Sequence, residues 1–271
     1  DGPAADTVTS LGPWVTTVAA SNQPRTFWSK VTLAASDGKK LKVAGVSVSD
    51  QVKPGLPLIL ASSVGDEFCT SATPDGAFTG MIVFCNVNSS TTVPLISFNV
   101  SQRGAAGLLL QNRNSLLSPV GADDTPWVPT VDLTLGAGTT ILDFMAAHTG
   151  VVATLGKGAP KKIAGNVIVV FSSRGGPHLA FGVAKPDVTA PGQLILGGDT
   201  PQHQDPLKVD GELFQINQGT SLSTPHVAGG AALLKQLHPG WTPGQIKSAL
   251  MTSASAKKLV KGDGVTPFDS F

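Results

Sequence analysis

The sequence predicts a mixed α/β protein with a compact α+β unit in its middle. Three observations carry this. Short apolar runs recur between about residues 40 and 155, mixed with helix-like stretches, a texture that belongs to a self-contained α+β unit. From residue 163 the texture changes to a longer apolar run, Ile163 to Ser172. Two helical runs follow, the Ala-rich Val227 to Leu237 and a last one through Ile246, Ala249, Leu250 and Met251. At 271 residues the chain can hold one large α/β domain or two smaller ones.

In chain order, Val15 to Ala20 and Val31-Thr32-Leu33 are β-rich runs. Leu56 to Leu60 reads as the first strand of the middle unit, with Pro57 pointing to an edge position or a strand start. Gly80 to Cys85 is a second strand and Leu108-Leu109-Leu110 a third. Val128 to Leu133 reads as a strand ahead of a helix-like run, Thr139 to His148. Ile163 to Ser172 reads as a buried strand, ended by the turn Ser172 to Pro177. Ala184 to Gly192 is a rigid, Pro-rich connection, and Leu194-Ile195-Leu196 another short strand. The apolar run Val227 to Leu237 reads as a buried helix, stopped by His238-Pro239-Gly240. Thr242-Pro243-Gly244-Gln245 has the form of a capping box with Pro at the first helical position.

Composition narrows the function. Hydrophobic residues make up 41% of the chain and charged residues 14%, with a net charge of +1. This is globular and gives no electrostatic case for nucleic acid or membrane binding. The basic clusters Lys39, Lys40, Lys42 and Lys157, Lys161, Lys162 read as solvated edges or loops. No apolar run approaches the roughly 18 residues of a membrane span. The spacing of Cys69 and Cys85 leaves a disulfide and two buried thiols equally open. A bridge would stabilise the fold by about 3 kcal/mol through loop closure. Asn88-Ser89-Ser90 and Asn99-Val100-Ser101 are glycosylation sequons. With a possible disulfide they lean towards a secreted protein.

The most informative stretch is Gly219-Thr220-Ser221-Leu222-Ser223-Thr224-Pro225-His226-Val227-Ala228-Gly229. It places Ser221, next to a Gly-Thr loop, at the start of a helix. There, unpaired backbone N–H groups and the positive end of the helix dipole lie close by. Such groups stabilise a developing oxyanion, which suits a nucleophile in acyl transfer. The plainer reading is a Ser that caps a core helix.

This stretch resembles the nucleophile motif of the subtilisin-like serine proteases. Other blocks resemble the same family in the same order: Asp1-Gly2-Pro3 with Trp14 to Ser21, Phe171-Ser172-Ser173-Arg174-Gly175, Lys185 to Gly192, and His238 to Ala254. Gly176 before Pro177 and Leu222 in place of the common Met are departures. The resemblance implies a doubly wound, mostly parallel sheet formed by residues 1–37 and 159–271. It implies an inserted α+β protease-associated (PA) domain at 38–158, marked by Phe84-Cys85, Arg103 to Gly107 and Val128 to Leu133. It favours a Cys69–Cys85 bridge. It also implies an extracellular serine endopeptidase acting on protein or peptide substrates, with Ser221 as nucleophile, no cofactor, and PA-mediated protein contacts.

The family's other catalytic groups are missing. Its Asp sits in Asp-Ser/Thr-Gly and its His in His-Gly-Thr, neither of which occurs here. The oxyanion Asn expected just ahead of Asp1 is missing too. The chain therefore reads as an interior piece of a longer protease and is expected to be inactive alone. A subtilase-derived binding or assembly protein is the alternative. His226 lies about 140° round the helix from Ser221 and reads as structural. His178 reads as a loop residue. His148, His203 and His238 have no motif context, and the five His show no metal-ligand spacing.

Overall fold

The computed structural model describes residues 2–71, 74–88, 91–112, 125–176, 182–203, 206–255, 259–261 and 266. In chain order its elements are β1 (Val18–Ser21), β2 (Arg25–Ala34), β3 (Lys40–Val46), β4 (Val52–Leu60), β5 (Ile82–Val87), α1 (Val93–Gln102), β6 (Gly107–Asn112), β7 (Thr130–Leu133), α2 (Leu135–Ala147), β8 (Val152–Leu155), β9 (Ala159–Lys162), β10 (Val188–Pro191), β11 (Ile195–Gly198), β12 (Phe214–Asn217), α3 (Thr220–Leu237) and α4 (Pro243–Ser253). They fall into two compact units. One comprises Asp1–Arg25, Lys162–Ile195 and Asn217–Phe271, the other Thr26–Lys161 and Leu196–Ile216.

The unit formed mainly by Thr26–Lys161 is built on an eight-stranded sheet in the order β3-β7-β6-β5-β4-β8-β2-β9. β3 also pairs with β2, antiparallel from Trp28↔Val46 to Ala34↔Lys40. That extra pairing closes seven of the strands into a ring. β4, β5, β6 and β7 run parallel to one another, and β2–β3, β2–β8, β3–β7 and β4–β8 are antiparallel. Both faces of β5 and β6 are buried, so their sequences read as continuous apolar runs rather than alternating ones. Ile82, Phe84 and Leu109 join one core cluster with Val31, Leu33, Leu155 and Ile141 of α2. Val83, Cys85, Leu108 and Leu110 join the other, against Ile96 and Val100 of α1.

Local chemistry sets the helix starts. Thr134 caps α2 by accepting from the Ala137 N–H. Thr92 caps α1 by accepting from the Leu95 N–H, with a Pro in the first turn. Sequence reading did not single out α1, whose β-branched and aromatic residues mask its helical character. Thr92 and Pro94 were the signal that could have found it. Arg103, which follows α1, spans two carboxylates: its Nε and Nη2 meet Asp75 and its Nη1 meets Asp66. Its guanidinium also lies over the Phe78 ring.

Cys69 and Cys85 form a disulfide with their Cα atoms 6.0 Å apart. Asn99 lies inside α1, is 1% exposed and donates its amide to the Cys69 carbonyl at 2.9 Å. A glycan has no room there. Asn88 is described, but Ser89 and Ser90 of its sequon lie outside the described residues. Pro57 is not on an edge: β4 lies between β5 and β8. Its pairing with β8 shifts register between Val52 and Leu56, directly ahead of Pro57. A Pro is tolerated inside a sheet next to such an irregularity.

In the other unit, β1 and β10 pair parallel from Val18↔Val188 to Ser21↔Pro191, and α3 packs on both strands and on α4. Two expectations need correction here. Ile163 to Ser172 is not a strand; it carries only single bridges at Val167 and Ile168. Asn166 takes a left-handed backbone at φ 61°, which breaks the extended run. Asn22 then holds the segment through its Nδ2 to Ala164 O and its Oδ1 to Val167 N. The second correction concerns α3, which forms but is mostly exposed. Only Ser223 is buried, while Leu233 and Leu237 are 62% and 72% exposed. Its partners among the described residues cover one side, so its apolar content exceeds the surface they bury. α4 carries the expected capping box between Thr242 and Gln245.

Candidate active site

The site is built from the ends of the parallel β1–β10 pair. Gly192, just past β10, donates its N–H to Ser21 O at 2.8 Å and accepts the Gly219 N–H at 2.7 Å. A side chain at Gly192 would overlap Ser223 Oγ and lie 2.7 Å from Gly219 O. Only glycine lets the strand end approach the helix this closely. Gly219 itself has φ 148°, a backbone that also favours glycine. The loop-to-helix turn at Gly219-Thr220-Ser221 is therefore fixed by two glycines.

Ser221 is exposed in the first turn of α3. The Leu222 and Ser223 N–H groups bond back to Gly219 O. Those of Thr220 and Ser221 have no partner among the described residues. The helix thus presents two unfilled donors and its positive end beside the Ser221 hydroxyl. Pro225 removes the donor that would bond to the Ser221 carbonyl four residues back. Ser223 faces inward, and its hydroxyl is buried without a hydrogen-bond partner.

His226 points away from this chemistry. Its Nδ1 donates to Leu222 O at 2.8 Å, within its own helix, because a carbonyl can only accept. His238, at the far end of α3, stacks on Trp241 with centroids 3.9 Å apart. In the other unit, His148 pairs with Asp37 at 2.8 Å and His203 with Asp199 at 3.4 Å. His178 lies outside the described residues.

The remaining blocks support the site. Ser172 is wholly buried and accepts the Ala20 N–H on β1 at 3.0 Å. Arg174 N donates to Thr7 Oγ1, and Thr7 N donates to Arg174 O. Gly176, the residue that departs from the motif, has a structural reason: a side chain there would run into the Asp6 carboxyl. Sequence reading missed one network. The Asp187 carboxylate, 4% exposed, takes Lys185 Nζ at 2.6 Å, Lys247 Nζ of α4 at 3.0 Å and the Thr17 N–H at 2.7 Å. Lys247 also donates to Val15 O and Pro13 O. Burial opposes ionisation of Asp187, but the bonds from Lys185, Thr17 and Lys247 outweigh it and hold the carboxyl below its ordinary value.

A serine exposed at a helix start behind a parallel strand pair, with free amides beside it, has the chemistry a nucleophile in acyl transfer requires. The model of the subtilase family matches residues 10–267, and the chain belongs to that family. It is similar to the Arabidopsis thaliana subtilisin-like proteases SBT3.10, at 32% identity over 93% of this chain and 32% of the relative, and SBT1.4, at 34% identity over 93% and 33%. It is also 32% identical to the Arabidopsis thaliana CO(2)-response secreted protease, over 100% of this chain and 37% of that one. The chain spans about a third of the length of these curated relatives. Among solved structures, a psychrophilic subtilisin-like protease, Apa1, from the Antarctic Pseudoalteromonas sp. AS-11 matches 84% of this chain and 43% of its own, at 14% identity and a TM-score of 0.26. No described helix is long and apolar enough to cross a membrane.

Proposed function

We propose that Ser221 is the nucleophile of a subtilisin-type serine endopeptidase. One observation carries the reading: Ser221 stands exposed in a helix start fixed by the Gly219–Gly192 bond, beside the unpaired N–H groups of Thr220 and Ser221. In this reading Ser221 Oγ attacks the scissile carbonyl of a protein or peptide. The carbonyl carbon forms an acyl-enzyme as the amine leaves, and water then releases the acid. The helix amides face the oxyanion that develops.

The Ser221 proton needs a base, and neither described histidine of this unit supplies one. His226 is engaged with Leu222 O. His238 lies 17 residues further along the chain, about 25 Å up the helix at 1.5 Å per residue. The 271-residue chain is therefore inactive by itself in this proposal, and the whole protein contributes the Asp, the His and the oxyanion Asn. The unit around residues 38–158 is read as a PA-like insert that mediates protein contacts. The disulfide and the relative named as secreted support an extracellular setting.

Fluorophosphonate labelling tests this, on the chain and on the protein extended upstream, each beside its Ser221→Ala variant. Labelling of the extended protein alone, lost in Ser221→Ala, is the expected result. No labelling of either folded form would instead support a subtilase-derived binding protein. Labelling of the chain itself would show that a local group activates Ser221.

A further inference from the structure

The strand ring of the other unit carries a line of positive charge on its outward face. Along β2, Val31 and Leu33 point into the core, where Leu41 and Val43 of β3 pack against the same cluster. Trp28, Lys30, Thr32 and Ala34 therefore take the other face. The antiparallel register sets Lys42 beside Thr32 and Lys40 beside Ala34. At the opposite end, Lys161 Nζ of β9 lies 3.9 Å from the centre of the Trp28 ring, which puts it on the same side. Four successive rows of this face, at Trp28, Lys30, Thr32 and Ala34, thus each hold one lysine: Lys161, Lys30, Lys42 and Lys40. Rows two residues apart are about 6.8 Å apart, so the line is about 20 Å long. Between the lysines the floor is made of small side chains, Thr32, Ala34, Ala44 and, from β8, Thr154.

No carboxylate balances this line. β2, β3, β8 and β9 contain neither Asp nor Glu. The four lysines are exposed and form no ion pair among the described residues. Nearby acids are engaged elsewhere, Asp37 with His148 and Asp50 with Lys157. Lysine often guards a sheet edge, but Lys30 stands at no edge. It pairs with Ala44 on one side, and its carbonyl takes the Gly156 N–H on the other. Like charges in a row repel one another, and a partner of opposite charge removes that cost.

We infer that this line of lysines docks an extended acidic segment of a protein, laid along β2 with carboxylates at alternate positions. Alternate side chains of an extended chain share one face and repeat at about 6.8 Å, the spacing of the rows. A line one lysine wide suits a linear polymer and not the plane of a membrane surface. Its one large apolar side chain, Trp28, lies under Lys161. Recognition therefore rests on the charge pattern and not on an apolar anchor. This gives a chemistry to the protein contacts proposed for the unit, and it depends neither on Ser221 nor on peptidase activity.

The test is calorimetric titration of the full chain with an end-blocked peptide of alternating Asp and Ser. Two comparison probes carry the same charge: a peptide of equal composition with its Asp residues grouped at one end, and a linear oligomer of a uronic acid. The alternating peptide is expected to bind about threefold more tightly than either. Its affinity should fall about tenfold as ionic strength rises from about 0.05 to 0.5 M. Lys30→Gln, Lys40→Gln and Lys42→Gln together should weaken it about tenfold. Lys30→Glu with Lys42→Glu should abolish its binding and confer binding of the alternating Lys and Ser peptide. These positions are exposed, so the variants are expected to melt as wild type does. The inference fails if the alternating peptide does not bind at low salt, or if the triple variant keeps its affinity. Equal binding of the grouped peptide would refute the extended register. Tighter binding of the uronic acid oligomer would make a polysaccharide the occupant and overturn the proposal.

Discussion

Gly219 gives its N–H to the carbonyl of Gly192 across 2.7 Å, which ties the end of β10 to the first turn of the helix that carries Ser221. The contact leaves no room for a side chain at Gly192. Gly192→Ala is expected to displace the helix start at a cost of about 1–3 kcal/mol. In the upstream-extended protein the fluorophosphonate labelling rate should fall about tenfold or more. An unchanged rate would show that Ser221 does not depend on this joint.

Asp187 serves two cations that are themselves largely buried. Asp187→Asn leaves Lys185 and Lys247 without a counter-charge, and breaking a buried pair in this way costs about 3–5 kcal/mol. Urea unfolding of the chain should show the loss as a lower midpoint. The pH dependence has a definite sign. Because the folded carboxyl titrates below its ordinary value of 3.8, its contribution is complete above that pH and drains away as pH falls through the lower, folded value. Stability curves of wild type and Asp187→Asn should therefore converge below pH 3.8 and separate above it.

The Cys69–Cys85 bridge closes a short loop, with the two residues 16 apart in sequence. Replacing both by Ser should lower stability by about 3 kcal/mol. A reductant should lower the thermal midpoint of wild type and leave that of the double variant where it is. Equal midpoints for oxidised and reduced wild type would show that the bridge contributes nothing.

Asn99 donates to the Cys69 carbonyl from inside α1. Folded protein secreted from a glycosylating host is expected to carry no glycan at Asn99, although the sequon is intact. Peptide mapping by mass spectrometry reads this directly. An occupied Asn99 in the folded protein would contradict its placement.

What could be read from the sequence was local. The helix start at Ser221 follows from its motif, and the capping box at Thr242 follows from four adjacent residues. Pro57 was misjudged because a strand's place in a sheet depends on partners distant in sequence, here β5 and β8. The burial of α3 was misjudged for a related reason: an Ala- and Leu-rich run shows that a helix needs cover, not what covers it. Asp187 and Lys247 were invisible as a pair because nothing in either segment names the other. Gly192 was legible only as the end of a Pro-rich connection, and its contact with Ser223 required the fold.

The pairing of β2 with β9 has a consequence for how such a chain can be assembled. The strands that open and close the stretch Thr26–Lys161 are neighbours, one strand spacing or about 4.8 Å apart. A stretch whose two ends emerge side by side needs no extended connection to bring them together, so lengthening a loop inside it is expected to leave its entry and exit where they are as long as β2 and β9 stay paired.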